Sequence, residues 1–203
     1  MLRGLLLSQG LKDEEAAAVT DAILDWRDSD SLKRLRGAEE TEYLAAGYSY
    51  KPANAAFQSI EELRLVIGMT PELFDKVAPL ITIYSRQPGI NASIASRGVL
   101  RALPGATDAL VDTYIAQREQ ARAAKLPIPQ FAPAAPLSSF NNGIVIVRAA
   151  ARDGEANQGS SFVREAVVMR LATPKRPYTF LRWKEGSAAV VADALVAAPV
   201  TLQ

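Results

Sequence analysis

The sequence predicts an α+β protein, helices first and an antiparallel sheet after them, and three observations carry this. Apolar residues recur at helical spacing from Met1 to about Arg122, a proline-rich stretch follows, and beyond it lie β-branched and aromatic runs divided by turn formers. With 203 residues, of which 49% are hydrophobic, the chain is long enough to bury a sizeable core. The expected organisation is a helical domain over 1–126, a connector over 127–139, and a sheet with a C-terminal tail over 140–203.

In the helical part, Ala18, Ile23 and Leu24 share one face, Leu63, Val66 and Ile67 a second, then Leu73, Val77 and Leu80, and finally Leu110 and Tyr114. This part also repeats itself. IGMTPELFDKVAPLI from Ile67 aligns without a gap on PGATDALVDTYIAQR from Pro104, placing Gly68 on Gly105, Leu73 on Leu110 and Phe74 on Val111. QGLKDEEAAAVTDAILDWR from Gln9 is a looser third copy, one helical turn longer. Lead-in helices are expected over RGLLLSQG from Arg3 and RGVLRALPG from Arg97. Each unit therefore reads helix, tight glycine turn, helix, a helix-hairpin-helix or SAM-like repeat, with Thr70 and Thr107 as N-caps.

Pro127, Pro129, Pro133 and Pro136 remove backbone donors, so KLPIPQFAPAAPLSSFNNG reads as an extended connector. After it, GIVIVRAAAR from Gly143, SSFVREAVVMRLA from Ser160 and RPYTFLRW from Arg176 are separated by DGEANQG and TPKR. That pattern predicts a three-stranded antiparallel meander, Phe162, Arg164, Ala166, Val168 and Arg170 on one face of the middle strand and Val163, Glu165, Val167, Met169 and Leu171 on the other.

Lys+Arg at 23 against Asp+Glu at 22 gives a net charge of +1, so electrostatic function must be local. The absence of Cys and His removes thiol nucleophiles, imidazole bases and zinc sites built on either residue, and leaves the oxygen-loving cations. No phosphate-binding loop or nucleophile elbow is present, and the reading is of a protein that is not an enzyme. MLRGLLLSQG lacks the layout of a signal peptide. The nearest approach to a membrane span, SAAVVADALVAAPV from Ser187, is too short and carries Asp193.

Hairpin repeats raise nucleic-acid binding as the alternative function, with Arg97, Arg101, Arg118, Arg122 and Lys125 near the last copy. Against it, the first two copies carry mostly acids around their turns, and no basic excess exists. The acids themselves gather in DWRDSDSLKRLRGAEETEYL from Asp25, which holds Asp25, Asp28, Asp30, Glu39, Glu40 and Glu42. Asp28 and Asp30 fall past a helix end, where carboxylates and free carbonyls can converge on Ca²⁺, which takes six to eight oxygens. Spacing alone leaves equally open a solvated, helix-capping cluster paired with Lys33, Arg34 and Arg36.

Several segments in series resemble the K-type minor pseudopilins of bacterial type II secretion systems (GspK-like). They are LLLSQGL and ILDWRDSD, GAEETEYL, YKPAN, FQSIEELRLVIGM, GINASIASRGVLRALPG, and the closing FVREAVVMRL and FLRW strands, in family order over nearly the whole chain. The resemblance implies a pilin-like antiparallel sheet with a large helical domain inserted between it and a long N-terminal helix in the inner membrane. It implies a non-enzymatic cap at the tip of the periplasmic pseudopilus, with the I-type and J-type minor pseudopilins and other pseudopilins as partners, and no nucleic acid. It also implies Ca²⁺ as cofactor. Carried onto this sequence, the metal ligands would be Asp28, Asp30 and Glu39, with Asp25 and Glu40 as further candidates. Asp25 is the one that would face solvent on its helix if it is not a ligand, and Glu42 is expected to be solvated. In the family a leader, a membrane helix and a strand precede the stretch that RGLLLSQG resembles, so Met1 reads as a truncated start, with membrane attachment only through that missing helix.

Overall fold

The structure is a computed structural model, and it describes residues 1–85, 89–132, 143–152, 161–173 and 175–187. The chain divides into two compact units, Met1–Ser139 and Phe140–Gln203.

The first unit is helical. α1 (Leu2–Ser8) runs into Gly10 at φ +97°, and α2 (Asp13–Arg27) begins beyond it. Asp13, Glu14 and Glu15 occupy the first turn of α2 and Arg27 the last, each sign at the helix end whose dipole favours it. α3 (Glu40–Ala45) is short, and Glu42 reaches back so that its Oε2 accepts the Glu39 N–H at 3.0 Å. A 3₁₀ helix follows over Ile60–Leu65, then α4 (Pro71–Val77), a 3₁₀ turn over Ala78–Leu80, α5 (Arg97–Arg101) and α6 (Asp108–Ala123).

The hairpin repeats form as read. Gly68 and Gly105 hold φ of +85° and +76°, a conformation that costs an L side chain strain. Two residues later Thr70 Oγ1 accepts the Leu73 N–H at 3.2 Å and Thr107 Oγ1 the Leu110 N–H at 3.3 Å. Two details differ from the periodicity. The Leu63 segment tightens into a 3₁₀ helix, so Val66 and Ile67 lie past its end. In α6 the core face runs through Val111, Tyr114, Arg118 and Ala121, and Leu110, in the capped first turn and off that face, is 45% exposed.

Two cores result. Leu6, Ala16, Val19, Ile23, Trp26, Tyr43, Leu73, Phe74 and Val77 pack in the first, around an aromatic group in which Trp26 lies 5.9 Å from Tyr43 and 6.4 Å from Phe57. Leu100, Leu103, Val111, Tyr114 and Phe131 form the second. Phe131 meets Tyr114 edge-on at 4.8 Å, so the start of the proline-rich stretch is attached to α6. The rest of that connector, 133–139, and the tail from residue 188 lie outside the described residues.

The second unit is the expected meander, β1 (Ile144–Arg152), β2 (Ser161–Thr173) and β3 (Arg176–Ser187), antiparallel in the order β1-β2-β3. Val147, Ala166 and Trp183 align across it, as do Val145, Val168 and Phe180. A register shift between Val167 and Val168 adds a residue to β3, which puts Phe180 and Trp183 on one face, with ring centroids 5.4 Å apart. Val163 and Val167 are buried on one face and Ala166 on the other, consistent with the alternation in the sequence. Among the described residues, no helix is long and apolar enough to cross a membrane.

Candidate functional site

The acidic stretch folds as an ordered loop between α2 and α3, and its carboxylates do different work. Asp25, a candidate ligand that would otherwise face solvent on its helix, is fully buried. The reason is the loop itself, which wraps back over the last turn of α2: the Arg34 N–H donates to Asp25 Oδ1 and Oδ2 at 3.3 and 3.2 Å, the Ala38 N–H also donates to this carboxylate, and Arg34 Nε lies 3.3 Å from Oδ1. Burial still pushes the Asp25 carboxyl above its ordinary range, and these donors pull it partly back.

Past the helix end, Asp28 Oδ2 takes Arg34 Nη2 at 2.9 Å. Asp30 Oδ1 accepts the Leu32 N–H at 2.9 Å, closing a local turn, and the Asp30 carbonyl accepts Asn54 Nδ2 at 2.7 Å. Glu40 is exposed and pairs with Lys51 at 3.1 Å. Glu42, expected in solvent, is instead held by Lys33 at 2.7 Å and by the Glu39 N–H, because it stands at the third position of α3 where a capping carboxylate belongs. These contacts lower its pKa, the Lys33 bond most.

Glu39 is the exception. It is only 8% exposed, and its pKa is raised first by burial and then by the negative charges of Asp25, Asp28, Asp30 and Glu42. Its Oε1 is buried with no donor, and so are Asp28 Oδ1 and Asn54 Oδ1. Each buried acceptor left unpaired costs about 1–3 kcal/mol, more when charged. Asn54 sits at φ +46°, a left-handed conformation that Asn tolerates better than most residues, and its amide nitrogen is already committed to Asp30. Glu39 and Asn54 line one cleft with Ser31, Glu40, Thr41, Lys51 and Pro52.

Oxygens without donors are what a cation satisfies. Among the described residues no three acidic side chains are grouped to share one ion, so a donor set here would be mixed, two carboxylates with an amide oxygen. Hard cations accept such a mixture of carboxylate, amide and carbonyl oxygens. The sequence offers Asp28 and Glu39 as candidates but not Asn54; an isolated Asn in YKPAN carries no spacing signal, and only its backbone and its bond to Asp30 bring it in.

Four basic residues of the last hairpin are committed to partners within the fold. Arg97 binds Asp108 and Asp112, each at 2.7 Å, and Arg101 binds Asp108 and the Ala106 carbonyl. Arg118 is buried, donating to the Ala92 and Ala95 carbonyls at 3.1 and 2.7 Å, and Arg122 donates to the Ser93 carbonyl. These guanidinium groups stitch the 90–96 loop and the turn to α6, which leaves little to offer a phosphate.

Residues 1–86 match the family described as type II secretion system (T2SS), protein K. The protein K of Pseudomonas aeruginosa (strain PAO1) is 30% identical over 115 residues, 54% of this chain and 34% of that protein. That of Aeromonas hydrophila is 39% identical over 80 residues, 39% of this chain and 24% of the relative. A crystal structure of the GspK-GspI-GspJ complex from enterotoxigenic Escherichia coli shares the fold, with a TM-score of 0.60 at 18% identity over 91% of this chain and 68% of that one. Over its helical unit the chain is similar to the protein K family, and in fold it is similar to GspK. It spans about a third of the length of the Pseudomonas relative. The family match covers α1 to α4 and thus the whole acidic loop, and the shared fold is the expected one of helices followed by an antiparallel sheet.

Proposed function

We propose that this chain is a non-enzymatic structural component at the tip of a type II secretion pseudopilus, assembled there with I-type and J-type minor pseudopilins. The observation that carries the reading is the fold shared with the K chain of a three-pseudopilin complex, joined to the protein K match over the helical unit. Its place would be the periplasmic side of the inner membrane. The test is to mix the chain with I-type and J-type pseudopilins of its own system and measure mass in solution. A ternary complex is expected, and three separate species would overturn the reading.

The same reading includes Ca²⁺ in the acidic loop. Asp28 and Glu39 would supply carboxylate oxygens and Asn54 an amide oxygen, with Asp30 and Glu40 beside them. The support is chemical: three buried acceptors in and beside the loop have no donor, and one of them belongs to a glutamate whose pKa is raised by burial and then by its neighbours' charges. Bound there, the ion would satisfy those oxygens and offset the repulsion among the acids. Isothermal titration with Ca²⁺ should show a site that Glu39→Gln removes; a flat titration of the unmodified chain would refute it.

A further inference from the structure

Of the carboxylates gathered in the loop, Asp25 is the one that is fully buried, and it is not among the residues lining the cleft. Both of its oxygens are occupied by the Arg34 N–H, a further N–H from Ala38 donates to it, and the Arg34 side chain lies against it. Gly37 packs directly on it: a Cβ built at residue 37 would stand 1.8 Å from Asp25 Oδ2 and 2.7 Å from its Cγ, far inside any allowed contact. The 34–38 segment therefore folds around this carboxylate, and Gly37 is the residue whose missing side chain makes the fit possible.

The consequence reaches the orphaned oxygens from two directions. Arg34, held by Asp25, extends its other guanidinium nitrogen to Asp28 Oδ2, so the remaining Asp28 oxygen is the one left without a donor. Ala38, also held by Asp25, is followed immediately by Glu39, whose Oε1 is the buried acceptor lining the cleft. We propose that Asp25 is the positioning residue of the cation site and not a ligand, and that Gly37 is the partner it requires. Asp25 acts through Arg34 on Asp28 and through Ala38 on Glu39. This rests on the Ca²⁺ reading above and assigns one of the loop's acids a role that spacing cannot show.

Groups that orient metal ligands without touching the metal change affinity by about 10–100-fold when removed. The test uses Tb³⁺ as a luminescent stand-in for Ca²⁺, sensitised by Trp26 next to the loop, on the whole 203-residue chain. Affinity comes from titration, and the number of water molecules on the ion from luminescence lifetimes in H₂O and D₂O. Asp28→Asn and Glu39→Gln remove ligands and should each add about one water. Asp25→Asn should weaken binding about 10-fold or more with the water count unchanged. Gly37→Ala, which removes no carboxylate, should do the same, and circular dichroism well below the melting midpoint should show both variants folded. An added water in Asp25→Asn would make it a ligand and overturn the proposal, as would unchanged affinity in both Asp25→Asn and Gly37→Ala. Failure of the unmodified chain to bind Tb³⁺ in competition with Ca²⁺ would instead refute the cation reading on which the proposal stands.

Discussion

Two acid-rich clusters in the helical unit look alike in sequence and differ in how their charges are matched. Around the α5–α6 turn, Asp108 and Asp112 meet Arg97, and Asp108 also meets Arg101, so these acids are neutralised within the fold. Between α2 and α3 there are cations too, yet Arg34, Lys33 and Lys51 reach Asp25, Asp28, Glu42 and Glu40 and leave Glu39 with no basic partner in a buried position. The first arrangement is complete without help. The second is electrostatically unfinished, and a buried anion surrounded by other anions is tolerated only if something else compensates.

The largest expected effect tests that deficit directly. A ligand bound only by the folded state at a hundredfold excess over its Kd stabilises by about 2.7 kcal/mol. Calcium should therefore raise the melting midpoint of the unmodified chain by several degrees over chelator, and Glu39→Gln should abolish the difference. In chelator the same substitution should be neutral or stabilising, since it removes an ionised group whose burial and neighbours oppose its charge. An Asp108→Asn variant should leave the calcium increment intact. If Glu39→Gln destabilised the chelated protein and kept the increment, Glu39 would be an ordinary paired cap and the contrast between the clusters would fail.

Next comes the aromatic floor beneath the acidic loop. Tyr43 is fully buried, its hydroxyl oxygen accepts the Ile67 N–H at 3.2 Å, and burial pushes its pKa up to about 12. An acid whose pKa is raised on folding holds its proton in the folded state at pH values where the unfolded chain has lost it. Stability is then unaffected below the ordinary value of 10.0 and falls as pH rises from there toward about 12. Two pKa units correspond to a loss of about 3 kcal/mol across that window. Alkaline melts should show this fall, and Tyr43→Phe should flatten it after an initial cost of about 1 kcal/mol for the lost hydrogen bond. An equally steep fall in the variant would place the alkaline sensitivity elsewhere.

The hairpin repeats, the glycine turns, the threonine caps and the three strands were legible because each is a local pattern: a period, a residue that tolerates positive φ, a hydroxyl three residues from a free N–H. The acidic loop was legible only as composition. Nothing in DWRDSD distinguishes Asp25, which is swallowed by a loop nine residues on, from Asp30, which makes a local turn. Asn54 reaches the cleft across more than twenty residues of chain, a separation that periodicity does not see. The expectation of a cation came from the resemblance to K-type pseudopilins, while the division of labour among the acids came from where the main-chain donors point.

The two threonine caps compare the repeats themselves. Thr70 and Thr107 make the same bond to the residue three along, so Thr70→Ala and Thr107→Ala should each cost about 1 kcal/mol. Chemical denaturation of the two variants checks this. Glycine at either position, which caps almost as well, should recover most of the loss. A clear inequality between the repeats would mean that one hairpin is held by packing and its cap is incidental.

The smallest effect belongs to the matched cluster. Arg97 bridges Asp108 and Asp112 at the surface, with half of its side chain exposed, and these bonds hold the Asp112 carboxyl below its ordinary range. A depressed carboxylate contributes stability above its unfolded pKa and loses it as pH falls through the folded value, so the contribution of Asp112 is present at neutral pH and disappears only in acid. Exposed pairs are nevertheless screened by water and salt and pay the entropy of fixing long side chains. Arg97→Ala should accordingly leave the neutral-pH midpoint almost unmoved, whatever remains of its effect should vanish in high salt, and the calcium increment should be identical to that of the unmodified chain. A large, salt-resistant loss would show that the α5–α6 turn depends on its ion pairs for folding, and the completeness of that cluster would then be a structural requirement of the hairpin and no longer simply the absence of a missing cation.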